Sequence, residues 1–446
     1  SRGRSFPTGT LVRLLRGSHT PSKRKGCVVK DVKVVVTGLG WTTPLGLEVK
    51  EGWDRLLRGV SGIGRPSFPG AESCPVQAVG KVGEEDLRRI ERTFPLEAAA
   101  GEERSTLFAL WAAKSAWEDA GLCEKTSEKD RWGVAWATGL EAIRLEDAVE
   151  EMRGPKAAAP EVQPRSPIDR PSSLIASSLG LRGIHMTLTS ACASATQAIG
   201  LGYRSIRGGL ADLMVCGGSD SMIDPVGLGL LVLLSAASTR EGDPRALCRP
   251  FDRKRSGLVV GEGAGCVVLE SLDHARKRRA PVYAEMAGYG SSMDACGLAA
   301  PAPGGEGARR AMQGALDDAR LKPADLDYIN AHGTGTRLND PAEAVAIREI
   351  LGEHANRVAV NSTKSMTGHL MAAAGGPEFV VAVLSVVENV VHPTLNLDQP
   401  ARQCRLNHVV REKKALEVRA ALSNSFGFGG QNASVIVKKH ASRPSD

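Results

Sequence analysis

The chain has 446 residues, 42% of them apolar and 24% charged, enough to bury one large core or two moderate ones. The formal charge of +7 comes from the first 30 residues, where Arg2, Arg4, Arg13, Arg16, Lys23, Arg24, Lys25 and Lys30 meet no acid, so the body is close to neutral. A neutral body argues against nucleic acid as a partner. Nine cysteines without a C-x-x-C pair argue against zinc or a disulfide frame, and for free thiols in a reducing compartment.

In chain order, the basic leader 1–30 is rich in Arg, Ser and Thr and holds the short amphipathic piece LVRLLR at 11–16. These traits predict an organellar transit peptide, with a disordered basic tail as the alternative; composition does not separate mitochondrion from plastid, and the mitochondrion is the favoured expectation. VVVTGLGWTTPLG at 34–46 reads as a buried strand entering a glycine turn; it lacks the third glycine of a dinucleotide fingerprint. A short helix follows at 53–57, then a loop-rich stretch at 64–100, a helix at 104–120, a strand at 132–138 and a Pro/Ala-rich surface excursion at 153–171. A strand at 183–189 runs into a helix at 193–204, followed by strands at 213–219 and 265–270. The longest apolar run, 226–237, is too short to cross a bilayer and reads as core or as the wall of an apolar cavity.

A second series begins with a strand at 282–290, a helix at 307–320, strands at 328–331 and 358–361, a helix at 371–387 and a closing strand at 433–438. Strands alternating with helices twice over predict an α/β protein with parallel strands and an internal duplication, although no sequence repeat stands out. The expected organisation is a leader (1–30), two halves (31–280 and 281–438) and a tail (439–446).

Cys192 lies at the turn between the strand at 183–189 and a helix opening in small residues. There the helix dipole is expected to lower the thiol pKa towards a reactive thiolate, although a lone cysteine is more often structural. His332, in NAHGTGT (330–336), and His369, in KSMTGHL (364–370), sit in Gly/Thr settings just after predicted strands, off any apolar stripe. Asp340, Glu343 and Lys364 are near enough in sequence to orient them or to form ordinary ion pairs. NSFGFGG at 424–430 is too glycine-rich for a regular strand and offers backbone N–H groups suited to an oxyanion hole, with a plain hairpin as the alternative. A thiol with two histidines suggests covalent acyl chemistry.

With GEGAG at 261–265, these segments resemble the β-ketoacyl-[acyl-carrier-protein] synthases, six motifs in the family's order from Val34 to Lys438. The resemblance implies a thiolase-like fold of two similar α/β halves in five layers, as a homodimer. It implies decarboxylative Claisen condensation of an acyl group on Cys192 with malonyl-carrier protein, His332 and His369 stabilising the enolate. It also implies an oxyanion hole from the N–H groups of Cys192 and Phe428, with Phe428 as a gate and Phe426 in support. Lys364, Glu343 and Asp340 would order the histidines, and Thr334 and Thr336 would touch the phosphopantetheine arm.

No redox cofactor or catalytic metal is implied. A buried monovalent cation near Asn330, Glu378 and Asn424 is a further expectation of the family. The implied partner is acyl carrier protein, without nucleic acid or a membrane span, in a soluble organellar compartment.

The sequence also departs from the family. RSGL at 255–258 replaces an Arg-Asp-Gly-Phe segment, and Leu231 and Ser235 stand where the bacterial elongating type often has Phe and Arg. AGEER at 100–104 lacks the paired basic residues often used to dock the carrier. A degradative thiolase-type acyltransferase would need a second Cys in the loop FGFGG (426–430), and a non-catalytic chain-length-factor-like partner would lack Cys192; both are disfavoured. An initiating synthase would pair Cys with His and Asn, and a metal hydrolase would need ligands at short spacing.

Overall fold

The computed structural model describes residues 32–96, 103–122, 129–139 and 168–441. The expected leader and most of the surface excursion at 153–171 lie outside these.

Ten strands make one sheet: β1 (Val34–Thr42), β2 (Trp132–Thr138), β3 (His185–Leu188), β4 (Leu213–Asp220), β5 (Gly263–Ser271), β6 (Ala284–Met293), β7 (Tyr328–Asn330), β8 (Ala359–Asn361), β9 (Ala420–Phe426) and β10 (Gln431–Lys438). Their spatial order is β8-β7-β9-β10-β6-β1-β5-β4-β2-β3. Read outward from the β1–β6 junction, the two halves are copies. In each, the first strand pairs antiparallel with the fifth and the fifth antiparallel with the fourth, and the fourth, second and third then run parallel.

The helices repeat the pattern. α1 (Arg104–Asp119) follows β1 and packs on β1, β5 and β4, and α4 (Glu306–Ala319) follows β6 and packs on β6 and β10. α2 (Ser194–Arg207) and α6 (Gly375–Glu388) each touch strands of both halves and each other. With each half of the sheet counted as a layer, the result is helix, half-sheet, helix pair, half-sheet, helix: five layers.

The duplication is written in two glycine pairs. A Cβ on Gly38 or Gly40 of β1 would lie 2.1 Å from the carbonyl oxygen of Ala116 or Ala112 in α1. On Gly288 or Gly290 of β6 it would lie 2.3 or 2.1 Å from that of Ala315 or Ala311 in α4. Each half uses Gly-x-Gly to let an alanine-faced helix approach the sheet.

Two further helices matter for the site. α3 (Pro225–Leu233) is opened by Asp224, whose carboxylate accepts from the N–H groups of Val226 and Gly227, and it walls a cavity as the apolar run suggested. α5 (Asn339–Leu351) has no apolar helical period at its start, because its buried face carries the acids Asp340 and Glu343 there. The stretch at 64–100 holds a helix, Glu84–Thr93, that buries only Leu87 and Ile90.

Met371–Glu388 is long and apolar enough to cross a membrane, but it is almost wholly buried, most of it as the core helix α6. It exceeds the run at 226–237 in this respect.

Candidate active site

Cys192 and His369 occupy equivalent places in the two halves, Cys192 between β3 and α2, His369 between β8 and α6. Each place contains a non-glycine residue in the left-handed region, Ala191 (φ +48°) before the cysteine and Met371 (φ +49°) after the histidine. Such conformations cost about 1–3 kcal/mol and persist where neighbours over-determine them. At the cysteine turn the Ser194 hydroxyl does this, accepting from Ser190 N at 2.7 Å and donating to Ala191 O at 2.6 Å. His332 follows β7, and the glycine loop 427–430 joins β9 to β10.

These four turns converge. Cys192, His332 and His369 are 4% exposed or less, and Sγ and one nitrogen of each ring lie within 4.8 Å of one another. The imidazoles meet edge to face, centroids 5.2 Å apart, and Phe426 packs against His332 at 5.8 Å. A cavity of about 650 Å³ reaches all three and is lined also by Phe428, Thr334, Thr336 and Leu258. The Phe428 N–H donates to the Cys192 sulfur. Gly427 lies so close that a Cβ there would be 3.1 Å from Cys192 N.

Hydrogen bonds settle the tautomers. Lys364 Nζ lies 3.3 Å from His332 Nδ1, and Met371 N donates to His369 Nδ1 at 3.2 Å. A donor at each Nδ1 leaves the proton on Nε2. Burial, and then the Lys364 charge, hold both rings well below the usual histidine range, so they are neutral N–H donors.

Three expectations need correction. The Cys192 thiol is not lowered: burial pushes it up to about 12, against the smaller pull of Lys364 and the Phe428 N–H. Dehydration outweighs the helix end, so the resting group is a thiol. Lys364 touches His332, but its carboxylate partner is Glu378, at 2.5 Å, rather than Glu343 or Asp340. Glu343 and Asp340 act on backbone. Glu343 accepts from the N–H groups of His332 and Gly333, both at 2.8 Å, and Asp340 from those of Thr334 and Gly335 at 3.1 Å and Phe251 at 2.7 Å. Asp340 therefore shapes the threonine turn; neither carboxylate is bonded to an imidazole among the described residues.

For the expected cation, Asn330 Oδ1 and Glu378 Oε2 are buried acceptors without a hydrogen-bond partner among the described residues, and this suits a small cation. The Asn424 side chain does not fit that role: its oxygen accepts from Ser434 Oγ at 2.7 Å and its amide donates to Glu343. Alternation along β9 gives the inner face to Ser423, whose Oγ also has no partner among the described residues.

The N-terminal domain of the β-ketoacyl synthases matches residues 31–275 and the C-terminal domain residues 283–398. Proteins called 3-oxoacyl-[acyl-carrier-protein] synthase 2 include one from Synechocystis, 40% identical over 411 residues (92% of this chain, 98% of that one), and one from Coxiella burnetii, 38% identical over 410 (91% and 98%). A β-ketoacyl synthase structure from Burkholderia phymatum matches with a TM-score of 0.81 at 30% identity, covering 92% of this chain and all of that one. A type II polyketide ketosynthase, solved with its acyl-carrier protein and a hexaketide, matches at 0.84 and 32% with the same coverage. The fold is thus the thiolase-like architecture of the ketosynthases. With both family domains matched and the centre assembled from one turn of the first half and three of the second, the chain belongs to the β-ketoacyl synthase family.

Proposed function

We propose that the protein is a condensing enzyme of fatty-acid synthesis, an elongating 3-oxoacyl-[acyl-carrier-protein] synthase of the second type. The observation that carries this reading is the pair of neutral Nε2–H donors facing one thiol at the end of an apolar cavity.

In the first half-reaction Cys192 Sγ attacks the acyl thioester, and the oxyanion receives the N–H groups of Cys192 and Phe428. The acyl–sulfur bond to the carrier breaks, and the thiol proton leaves with the carrier's sulfur. Malonyl-carrier protein then enters, and its carbon–carboxylate bond breaks to release CO2. The electron pair moves onto the thioester oxygen, where His332 and His369 donate to the enolate without accepting a proton. The enolate carbon attacks the acyl group and expels the Cys192 sulfur, which regains a proton. The product is two carbons longer.

Carrier docking belongs to the same reading. Arg104, at the end of the segment where the family often places docking cations, is paired with buried Glu262. The exposed cations beside the cavity are Arg240, which donates to Lys254 O at 3.0 Å, Lys254 itself, and Arg337; among the described residues no carboxylate pairs with these three. Exposed Leu233, Leu234 and Leu338 lie among them in sequence, a surface suited to an acidic carrier protein. A homodimer is supported by β3, which ends the sheet with Met186 and Leu188 only partly covered. A monovalent cation at Asn330 and Glu378 would lie beside the Lys364 ion pair. The acid-free basic leader supports import into an organelle; we propose the mitochondrion rather than the plastid, and a fusion of residues 1–30 to a fluorescent protein reads out which.

The test is intact mass after mixing with a medium-chain acyl-carrier protein and then with malonyl-carrier protein. The expected result is an acyl adduct on Cys192, discharged as a β-ketoacyl product two carbons longer, with neither in Cys192→Ala. Unchanged elongation by that variant would sink the mechanism, and an adduct that water alone removes would mean hydrolysis.

A further inference from the structure

One buried carboxyl group near the site has no part in the chemistry above. Asp220 ends β4, is 3% exposed, and makes no ion pair among the described residues. Its Oδ2 accepts from the N–H of Ala372 at 2.9 Å, and the N–H of Ser221 also donates to the carboxylate. The room it occupies is left by a glycine, since a Cβ on Gly139 would lie 2.3 Å from Oδ2. Burial pushes the carboxyl up to about 7, against the pull of those two N–H groups.

What it holds is the turn after His369. Ala372 follows Met371, the residue with φ +49° whose N–H donates to His369 Nδ1. That donor is what makes Nε2 the protonated nitrogen facing Cys192. A left-handed non-glycine residue relaxes readily when its neighbours are released. Once Met371 relaxes, Nδ1 is free to take the proton, and Nε2 becomes an acceptor that repels an enolate oxygen.

We propose that Asp220 is a positioning residue for the decarboxylation step, holding the Met371–Ala373 turn so that His369 presents Nε2–H. The inference rests on the condensing reading above. It separates the two half-reactions: the turn that Asp220 holds carries His369, whereas its charge acts on Cys192 only by raising the thiol, so removing it does not slow acylation.

The experiment compares Asp220→Ala, Asp220→Asn and Gly139→Ala with the wild type in the full chain. One readout is the rate of Cys192 acylation by acyl-carrier protein, and the second is CO2 release from malonyl-carrier protein. The third, independent of activity, is the long-range 15N–1H spectrum of histidine-labelled protein, which reports the tautomer of His369. Asp220→Ala is expected to acylate within about threefold of wild type and to lose about tenfold in decarboxylation, with a mixed His369 tautomer. Asp220→Asn keeps an oxygen for the Ala372 N–H and is expected to restore most of the rate. Gly139→Ala crowds the carboxylate from the opposite side, at a backbone position open to alanine, and is expected to reproduce the Asp220→Ala pattern even if that variant fails to fold.

Equal loss of both half-reactions, no loss in either, or an Asp220→Asn variant as impaired as Asp220→Ala would each overturn the assignment. A wild-type protein that never decarboxylates malonyl-carrier protein would overturn the condensing reading instead, leaving the tautomer measurement to judge Asp220.

Discussion

Lys364 offers the sharpest test of how the site is held together. Its Nζ sits 2.5 Å from Glu378 Oε1 and 3.3 Å from His332 Nδ1, with the ion pair 1% and 3% exposed. Lys364→Met keeps the bulk and removes the charge, leaving a buried carboxyl alone, which costs up to about 3–5 kcal/mol once the pH is high enough to ionise it. The sign of the pH dependence follows from Glu378, whose pKa burial raises from 4.5 to about 7 even with Lys364 present. A raised carboxyl contributes stability that is present below its unfolded pKa and lost as pH climbs through the folded one. Without Lys364 the folded value rises further, so the deficit is small near pH 5, sets in as pH climbs past about 7 and is full only above the variant's own folded value. The double variant Lys364→Met/Glu378→Gln removes the orphan charge and recovers most of the stability. It does not recover activity: both variants lose about a hundredfold in decarboxylation, because the proton of His332 is no longer fixed on Nε2. Urea unfolding at pH 5 and pH 8 and CO2 release check both arms. A deficit equal at the two pH values, or full decarboxylation in Lys364→Met, would refute the reasoning.

Three further outcomes follow from the geometry. His369→Ala spares acylation of Cys192 and slows decarboxylation by about two orders of magnitude, since it removes one of two enolate donors; equal loss in both steps argues against that role. Because burial and Lys364 keep both imidazoles neutral, the 15N–1H spectrum shows Nε2–H at His332 and His369 from pH 8 down to pH 6, and a doubly protonated ring at pH 6 contradicts this. Reversing the exposed cations in Arg240→Glu/Lys254→Glu lowers kcat/KM for the acyl-carrier protein by about tenfold at low salt and flattens its salt dependence, while a short acyl-pantetheine thioester loads unchanged. Equal kcat/KM for the carrier in variant and wild type places docking elsewhere.

Much of the fold was legible. The strand at 132–138 and the helix at 104–120 were readable because their apolar residues follow the period of the element, and the structure places them at Trp132–Thr138 and Arg104–Asp119. Asn424–Phe426 was not, because the glycines after it mask a regular strand that ends only at Phe426. α5 was not, because its inward face opens with two carboxylates, Asp340 and Glu343, whose partners are backbone N–H groups of the preceding loop. The duplication had a signal in hand: GLG at 38–40 and GYG at 288–290 occupy the same place in the two halves.

The sequence by itself determined the chemistry on offer: a cysteine at a strand-to-helix turn, two histidines in glycine and threonine turns, and a glycine loop rich in donors. Those are local properties, set by which residue types stand next to which turn. The tertiary structure decided how they behave. It brought together groups up to 236 positions apart in sequence, from Cys192 to Phe428, and dried the pocket so that the cysteine rests as a thiol. It gave Lys364 to Glu378, and aimed Lys364 and the Met371 N–H at two Nδ1 atoms so that both histidines donate. It also set Asp220 beneath the turn that carries one of them. Dehydration and hydrogen-bond direction depend on every layer packed around a group, and no stretch of neighbouring residues records them.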